Sequence, residues 1–251
     1  MTVFHVDLDN TLIYSYKHDI GEKKIAVETY QGREISFVTQ NTYAQLQALK
    51  NKILIVPTST RSIEQYKRID LHTGEITFAL VCNGGVLLVN GEKDLSWYKM
   101  SKAMTEESLP ALEYAHSLLT KDNRRTFELR WIEDLFLFTK CEHSEKVVNE
   151  LRKILDTKKV NVFCNKEKVY VIPIGLNKGK ALQRFREYIH RDKTIAAGDS
   201  EFDIPMLEAA DIGIVPKSFS STYSITFPLE EMCGTEIFSD EMLKRVSELF
   251  S

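Results

Sequence analysis

Apolar and polar positions along the chain follow two different rhythms. Val3–Val6, Ile53–Val56, Phe78–Cys82, Thr194–Ala197 and Ile212–Val215 are short, nearly continuous apolar runs. Each predicts a strand buried on both faces. Helical spacing separates several of them. Tyr43, Leu46 and Leu49 fall on one face of a helix over 41–50, with Asn41 as candidate cap. Ile63, Tyr66 and Ile69 recur at a spacing of three, and Ala181, Leu182, Phe185, Tyr188 and Ile189 mark a helix opening at Asn177-Lys178-Gly179-Lys180. Buried strands alternating with helices predict an α/β chain with a parallel sheet covered on both sides. Residues 25–30 and 33–38 alternate around Gln31-Gly32 and predict a β-hairpin.

The middle of the chain has another rhythm. A helix over 108–119, with Ser108 as cap, precedes strands at Thr126–Trp131 and Leu135–Thr139. A second helix over 143–155 precedes strands at Val160–Cys164 and Lys168–Ile172. Helix-strand-strand, twice in succession, predicts a small sheet with two helices on one face, inserted as a separate α+β module. The segment 218–240 takes no clear assignment, and a helix over about 240–250 closes the chain.

Composition narrows the class. The chain has 251 residues, 43% of them hydrophobic and 27% charged, ordinary values for a globular protein. A net charge of −3 offers no broad basic field, so no nucleic acid and no membrane is expected as partner. Acids at positions 7 and 9 interrupt the stretch where a secretory leader needs its apolar core, so the expected location is cytoplasmic. Cys82, Cys141, Cys164 and Cys233 lack metal-binding spacing and read as structural thiols. His5 alternates with the apolar residues of the first strand and reads as a core or strand-edge residue, not a ligand.

Chemistry gathers at strand ends. Asp7-Leu8-Asp9-Asn10-Thr11 closes the first buried run, Thr58-Ser59-Thr60-Arg61 the second, and Gly198-Asp199-Ser200-Glu201-Phe202-Asp203 the strand at 194–197. In an open α/β sheet such ends converge on one crevice. Two acids two residues apart in extended chain share a face and repel, unless a cation lies between them or their roles divide. Paired carboxylates, a hydroxyl, a lysine at a helix start and further acids suit phosphoryl transfer, in which charge must be neutralised and the reacting oxygens held in line.

These residues, in this order and at these separations, resemble the four motifs of the haloacid dehalogenase superfamily of phosphohydrolases. Within it the chain is most similar to the Cof-like branch with a type IIB cap. The resemblance implies a Rossmann-like, doubly wound parallel sheet as catalytic core over 1–84 and 173–251, with an α+β cap over 85–172. It implies Asp7 as the nucleophile that forms an aspartyl-phosphate, and Asp9 as general acid and then base. Thr11, Ser59 and Lys178 would bind the phosphoryl group. Mg2+ would bind through Asp7, the Asp9 carbonyl oxygen and Asp199, with Asp203 nearby or acting through water.

Several points stay open at this level. Thr58 competes with Ser59 for the phosphate, because Thr60 stands where many relatives carry glycine; the spacing to Arg61 favours Ser59. Phe202 stands where relatives often carry asparagine. Asp203 could bind metal, cap the following helix, or do both. Arg61 is a candidate substrate contact beside the second motif, and Arg130 and Trp131 are weaker ones. The hairpin is a flap over the site or an edge decoration. The expected function is a Mg2+-dependent phosphatase acting on a small phosphorylated metabolite, with a sugar phosphate as the expected class. A phosphomutase and a non-catalytic phospho-ligand sensor are the alternatives.

Overall fold

The computed structural model describes residues 2–191 and 193–250. Its central sheet has five strands, in the order Glu230–Glu231, Ile212–Val215, Thr194–Ala197, Val3–Val6 and Leu54–Pro57. All four pairings are parallel. Every residue of Val3–Val6 and Thr194–Ala197 is buried, as expected of central strands that carry helices on both faces. One face packs Phe4, Val6, Ile195, Ala197 and Ile214 against Leu46 and Leu49 of helix Gln40–Leu49 and Met242, Leu243 and Val246 of helix Phe238–Glu248. The other packs Ala196 and Val215 against Leu182 of helix Lys178–Ile189 and Met206 and Leu207 of helix Ile204–Ala209. The architecture is therefore a Rossmann-like, doubly wound α/β core with an inserted α+β unit.

The chain divides into two compact units, one of residues 1–94 and 177–251, the other Leu95–Leu176. The strand Val86–Val89, within the stretch 85–172 expected as the cap, pairs antiparallel with Phe78–Val81 and lies in the first unit. The second unit has a four-stranded antiparallel sheet in the order Val160–Asn165, Lys168–Pro173, Phe136–Lys140 and Arg130–Ile132. Helices Leu109–Thr120 and Ser144–Ile154 bury Leu112, Leu119, Val147, Val148 and Leu151 against Leu137, Val162 and Val171. A further helix, Leu95–Thr105, was not expected from the sequence. It buries Trp97, Ser101 and Thr105, a stripe at helical spacing in which only one residue is apolar.

Three local expectations need correction. The first helix is capped by Thr39, whose hydroxyl accepts from Thr42 N, and not by Asn41. The helix around Ile63 is a single turn, Ile63–Tyr66, so Ile69 lies beyond it. The strand expected over Thr126–Trp131 begins only at Arg130. Within 218–240 lie a helical turn, Phe219–Thr222, and the edge strand Glu230–Glu231. Cys82 and Cys141 are buried thiols. Among the described residues, no helix is long and apolar enough to cross a membrane.

His5 is fully buried, with its Nδ1 on Thr58 Oγ1 at 3.1 Å and its ring edge against Phe185. Burial, assisted by the Arg186 charge, lowers its pKa to about 3. An unfolded histidine titrates near 6.5 and therefore takes a proton that the folded one refuses. Stability is thus fully present above about pH 6.5 and is lost as pH falls toward 3, by up to about 1.4 kcal/mol per pH unit. Urea unfolding at pH 6.5 and pH 5 is expected to show a smaller pH dependence for His5→Asn than for the unsubstituted protein. Equal slopes would remove His5 as the cause.

Candidate active site

Strands Thr194–Ala197, Val3–Val6 and Leu54–Pro57 are adjacent and parallel, so Asp199, Asp7 and Ser59 leave the sheet at the same edge. The turn after the first strand is wound tightly. Leu8 O accepts from the amides of Thr11, Leu12 and Ile13, and Asn10 adopts a left-handed φ of 64°. Because the regular strand ends at Val6, the two-residue rule does not govern the two acids, and Asp7 and Asp9 take different cations.

Asp7 meets Lys178. The Lys178 ammonium donates to Asp7 Oδ1 at 2.5 Å and to Asp203 Oδ1 at 2.6 Å, and its side chain is only 1% exposed. Asn177 positions it by capping the helix that Lys178 begins, its side chain accepting from Lys180 N. Two glycines allow the close approach. A Cβ on Gly179 would lie 2.1 Å from Pro205 O, and one on Gly198 would lie 2.3 Å from Asp203 Cβ. Asp203 is fully buried, and its second oxygen accepts from Asp199 N, Ser200 N and Ser200 Oγ. It forms a capping box with Ser200, a partner that sequence reasoning missed although the S-x-x-D spacing displays it. Thr11 Oγ1 donates to Asp199 Oδ1 at 3.1 Å.

Charge is unbalanced here. Burial, with repulsion from Asp203, Asp199 and Asp9, holds the Asp7 carboxyl well above the usual range, although Lys178 pulls it down. Burial and the Asp203 charge push Asp199 up to about 7. Lys178 goes the other way: burial disfavours its charge, but Asp203 and Asp7 outweigh burial and raise its pKa. Oxygens of Asp7, Asp199 and Asp203 lie within 4.8 Å of one another. One ammonium among these carboxylates leaves excess negative charge on hard oxygen donors, the donor set a small divalent cation fits.

The two hydroxyls at the second strand differ. Thr58 Oγ1 donates to the Val56 carbonyl and contacts His5. Ser59 Oγ accepts from Arg61 N, and its amide donates to Leu80 O. An accepting hydroxyl keeps its own hydrogen for another acceptor, so the Ser59 hydroxyl, unlike that of Thr58, still has a hydrogen to donate.

Arg61 is turned onto Asp9. Its Nε and Nη2 bond the two Asp9 oxygens at 2.8 and 2.7 Å, a bidentate pair, while Nη1 lies 2.9 Å from Glu28 Oε1. A substrate contact by Arg61 would therefore require this pair to open. Glu28 escaped the sequence reading, because its alternation with Val27 places it on the polar face of the hairpin. Arg130 is exposed and Trp131 partly buried in the second unit, where Trp131 packs against the core.

A model of the haloacid dehalogenase-like hydrolases matches residues 90–222, just over half of the chain. That span contains Lys178, Asp199 and Asp203 and leaves Asp7, Asp9 and Ser59 outside it. No curated protein matches. Among solved structures, the chain is similar to a sucrose-phosphatase from Synechocystis sp. in complex with sucrose and phosphate, at 14% identity over 99% of this chain and 97% of that one, with a TM-score of 0.70. It is similar to a haloacid dehalogenase-like hydrolase from B. subtilis at 14% identity, covering 98% and 100% with a TM-score of 0.64. A trehalose-6-phosphate phosphatase related protein matches at 17% identity, covering 99% and 98% with a TM-score of 0.56. At these identities the likeness is one of fold.

Proposed function

The chain belongs to the haloacid dehalogenase-like hydrolase family, and on that premise we propose that it is a cytoplasmic, Mg2+-dependent phosphatase of small phosphorylated metabolites, with sugar phosphates as the favoured class. The observation that carries this reading is the buried Lys178 ammonium bridging Asp7 and Asp203. Asp7 is the nucleophile. Its carboxylate oxygen bonds phosphorus, the ester P–O bond breaks, and Asp9 gives its proton to the departing alcohol. Water then attacks phosphorus and gives a proton to Asp9. The bond from phosphorus to Asp7 breaks, and inorganic phosphate leaves.

Lys178 and Ser59 neutralise and orient the phosphoryl oxygens. Thr11 joins them in phosphate binding or steadies Asp199, to which its hydroxyl is bonded. Asp203, with both oxygens engaged, holds Lys178 and the Asp199 loop rather than acting as a direct ligand. Asp7, the Asp9 carbonyl and Asp199 would hold the metal. When bound, Mg2+ supplies charge to offset these carboxylates and those of the phosphoryl group. The second unit, Leu95–Leu176, takes the role of cap.

The sugar-phosphate class rests on the likeness to the sucrose-phosphatase and the trehalose-6-phosphate phosphatase related protein. Hydrolysis is preferred to a mutase reaction because the Asp9 side chain is 48% exposed and water reaches it. A sensor without turnover would have no use for an acid held beside a buried nucleophile. A panel of phosphomonoesters assayed with Mg2+ is expected to release phosphate, and chelation by EDTA is expected to stop it until Mg2+ is restored. Isomerised sugar phosphate with little inorganic phosphate would make the protein a mutase, and binding without product would make it a sensor.

A further inference from the structure

The hairpin of Lys24–Tyr30 and Arg33–Thr39 turns through Gln31 and Gly32, both at positive φ. Its register shifts on either side of Glu28. At such a bulge the strict alternation of faces fails. Val27 and Glu28 are consecutive, yet both are 2% exposed.

The buried Glu28 carboxylate is ringed by donors. Ser36 Oγ donates to Oε2 at 2.6 Å, and Arg68 Nε and Arg61 Nη1 reach Oε1 at 3.0 and 2.9 Å. Arg68 is itself steadied over the Tyr30 ring, 4.6 Å from its centroid. The backbone adds a tie, Asp70 N to Val27 O at 2.8 Å. The Arg61 guanidinium is thereby gripped on one edge by Glu28 and grips Asp9 with the other. A planar fork held at both edges has its plane fixed, and the carboxylate it meets bidentately is fixed with it. The Asp9 side chain is half exposed, and Arg61 meets both of its oxygens.

We infer that Glu28 is a positioning residue of the reaction: acting through Arg61, it sets the direction from which the Asp9 proton meets the leaving oxygen. The hairpin is then neither a decoration nor only a cover. It is the outer support of the acid. This rests on the phosphatase reading above. In the step concerned, the bond from Asp7 to phosphorus forms, the ester P–O bond breaks, and the leaving oxygen takes its proton from Asp9, which carries that proton on a lone pair that neither Arg61 bond uses. An alkyl alcohol needs that proton as it departs. Nitrophenolate is stable without it.

The test compares kcat/KM of Glu28→Gln for two substrates: the alkyl monoester that the unsubstituted protein hydrolyses best, and p-nitrophenyl phosphate. The alkyl ester is expected to lose about 10- to 100-fold, part of the ~10²–10⁴ that general acid catalysis contributes, and the aryl ester to stay within about threefold. The ratio of the two is independent of how much protein is correctly folded. Glu28→Asp, which keeps the charge but withdraws it, is expected to give an intermediate ratio, and it carries the test if Glu28→Gln does not fold. Equal losses on both esters, or an unchanged ratio in both variants, overturn the role. If the unsubstituted protein hydrolyses neither ester, it is the phosphatase reading that fails.

Discussion

Asp7→Asn is expected to abolish turnover, with kcat falling by at least about 10⁴-fold, while the protein stays folded. Loss of a covalent nucleophile is among the costliest single changes an enzyme can suffer. The amide keeps the shape and can still accept from Lys178, but it cannot form the mixed anhydride with phosphate. Stability is expected to move the other way. The Asp7 carboxyl is held above its ordinary pKa, chiefly by burial, with neighbouring acids adding to it. A carboxyl whose folded pKa is raised weakens the fold at pH values where it is ionised, and that cost disappears as pH falls. Asn removes the charge permanently. Measured in metal-free buffer near pH 7, the Tm of Asp7→Asn should equal or exceed that of the unsubstituted protein. A lower Tm would mean that the Lys178 contact outweighs the desolvation of Asp7. Retained turnover would remove Asp7 as nucleophile and the proposed mechanism with it.

Lys178→Met is expected to cost both activity and stability. Its ammonium is buried between Asp7 and Asp203, which are themselves nearly inaccessible. Removing it leaves two nearly buried carboxylates facing each other with no cation between them. Breaking a buried ion pair from one side costs about 3–5 kcal/mol, which urea unfolding would resolve. Turnover should fall by about 10²–10⁴-fold, because the charge that develops on the phosphoryl oxygens loses its fixed cation. The double variant Lys178→Met/Asp203→Asn separates the two effects. With one buried charge gone, much of the stability should return. Activity should not, because a neutral pair offers no cation. Recovery of both would reduce Lys178 to a structural prop.

The motifs could be read early for a physical reason. Strands buried on both faces must be continuously apolar, so Val3–Val6 and Thr194–Ala197 stand out from their surroundings, and the polar residues that follow them mark the strand ends. Parallel order then brings those ends to one edge. The helix Leu95–Thr105 was not legible, because the stripe it buries is mostly Ser and Thr and carries no apolar period. Glu28 was hidden by a bulge, which breaks the alternation used to sort inward from outward residues. Spacing to Arg61 favoured Ser59 over Thr58 without giving the physical difference between them. The difference lies in a carbonyl, Val56 O, that takes the Thr58 hydroxyl out of use.

By itself, the sequence determined the α/β alternation, the inserted α+β stretch and the identity of the charged groups at the strand ends, because these follow from periodicity and local order. Only the tertiary structure decided who faces whom. Lys178 bridges Asp7 and Asp203, Arg61 joins Asp9 to Glu28, and Asp203 closes its own loop. Such pairings span up to 171 positions of chain. They depend on which strands lie side by side and on how closely glycine lets the backbones approach, neither of which is written in any local pattern.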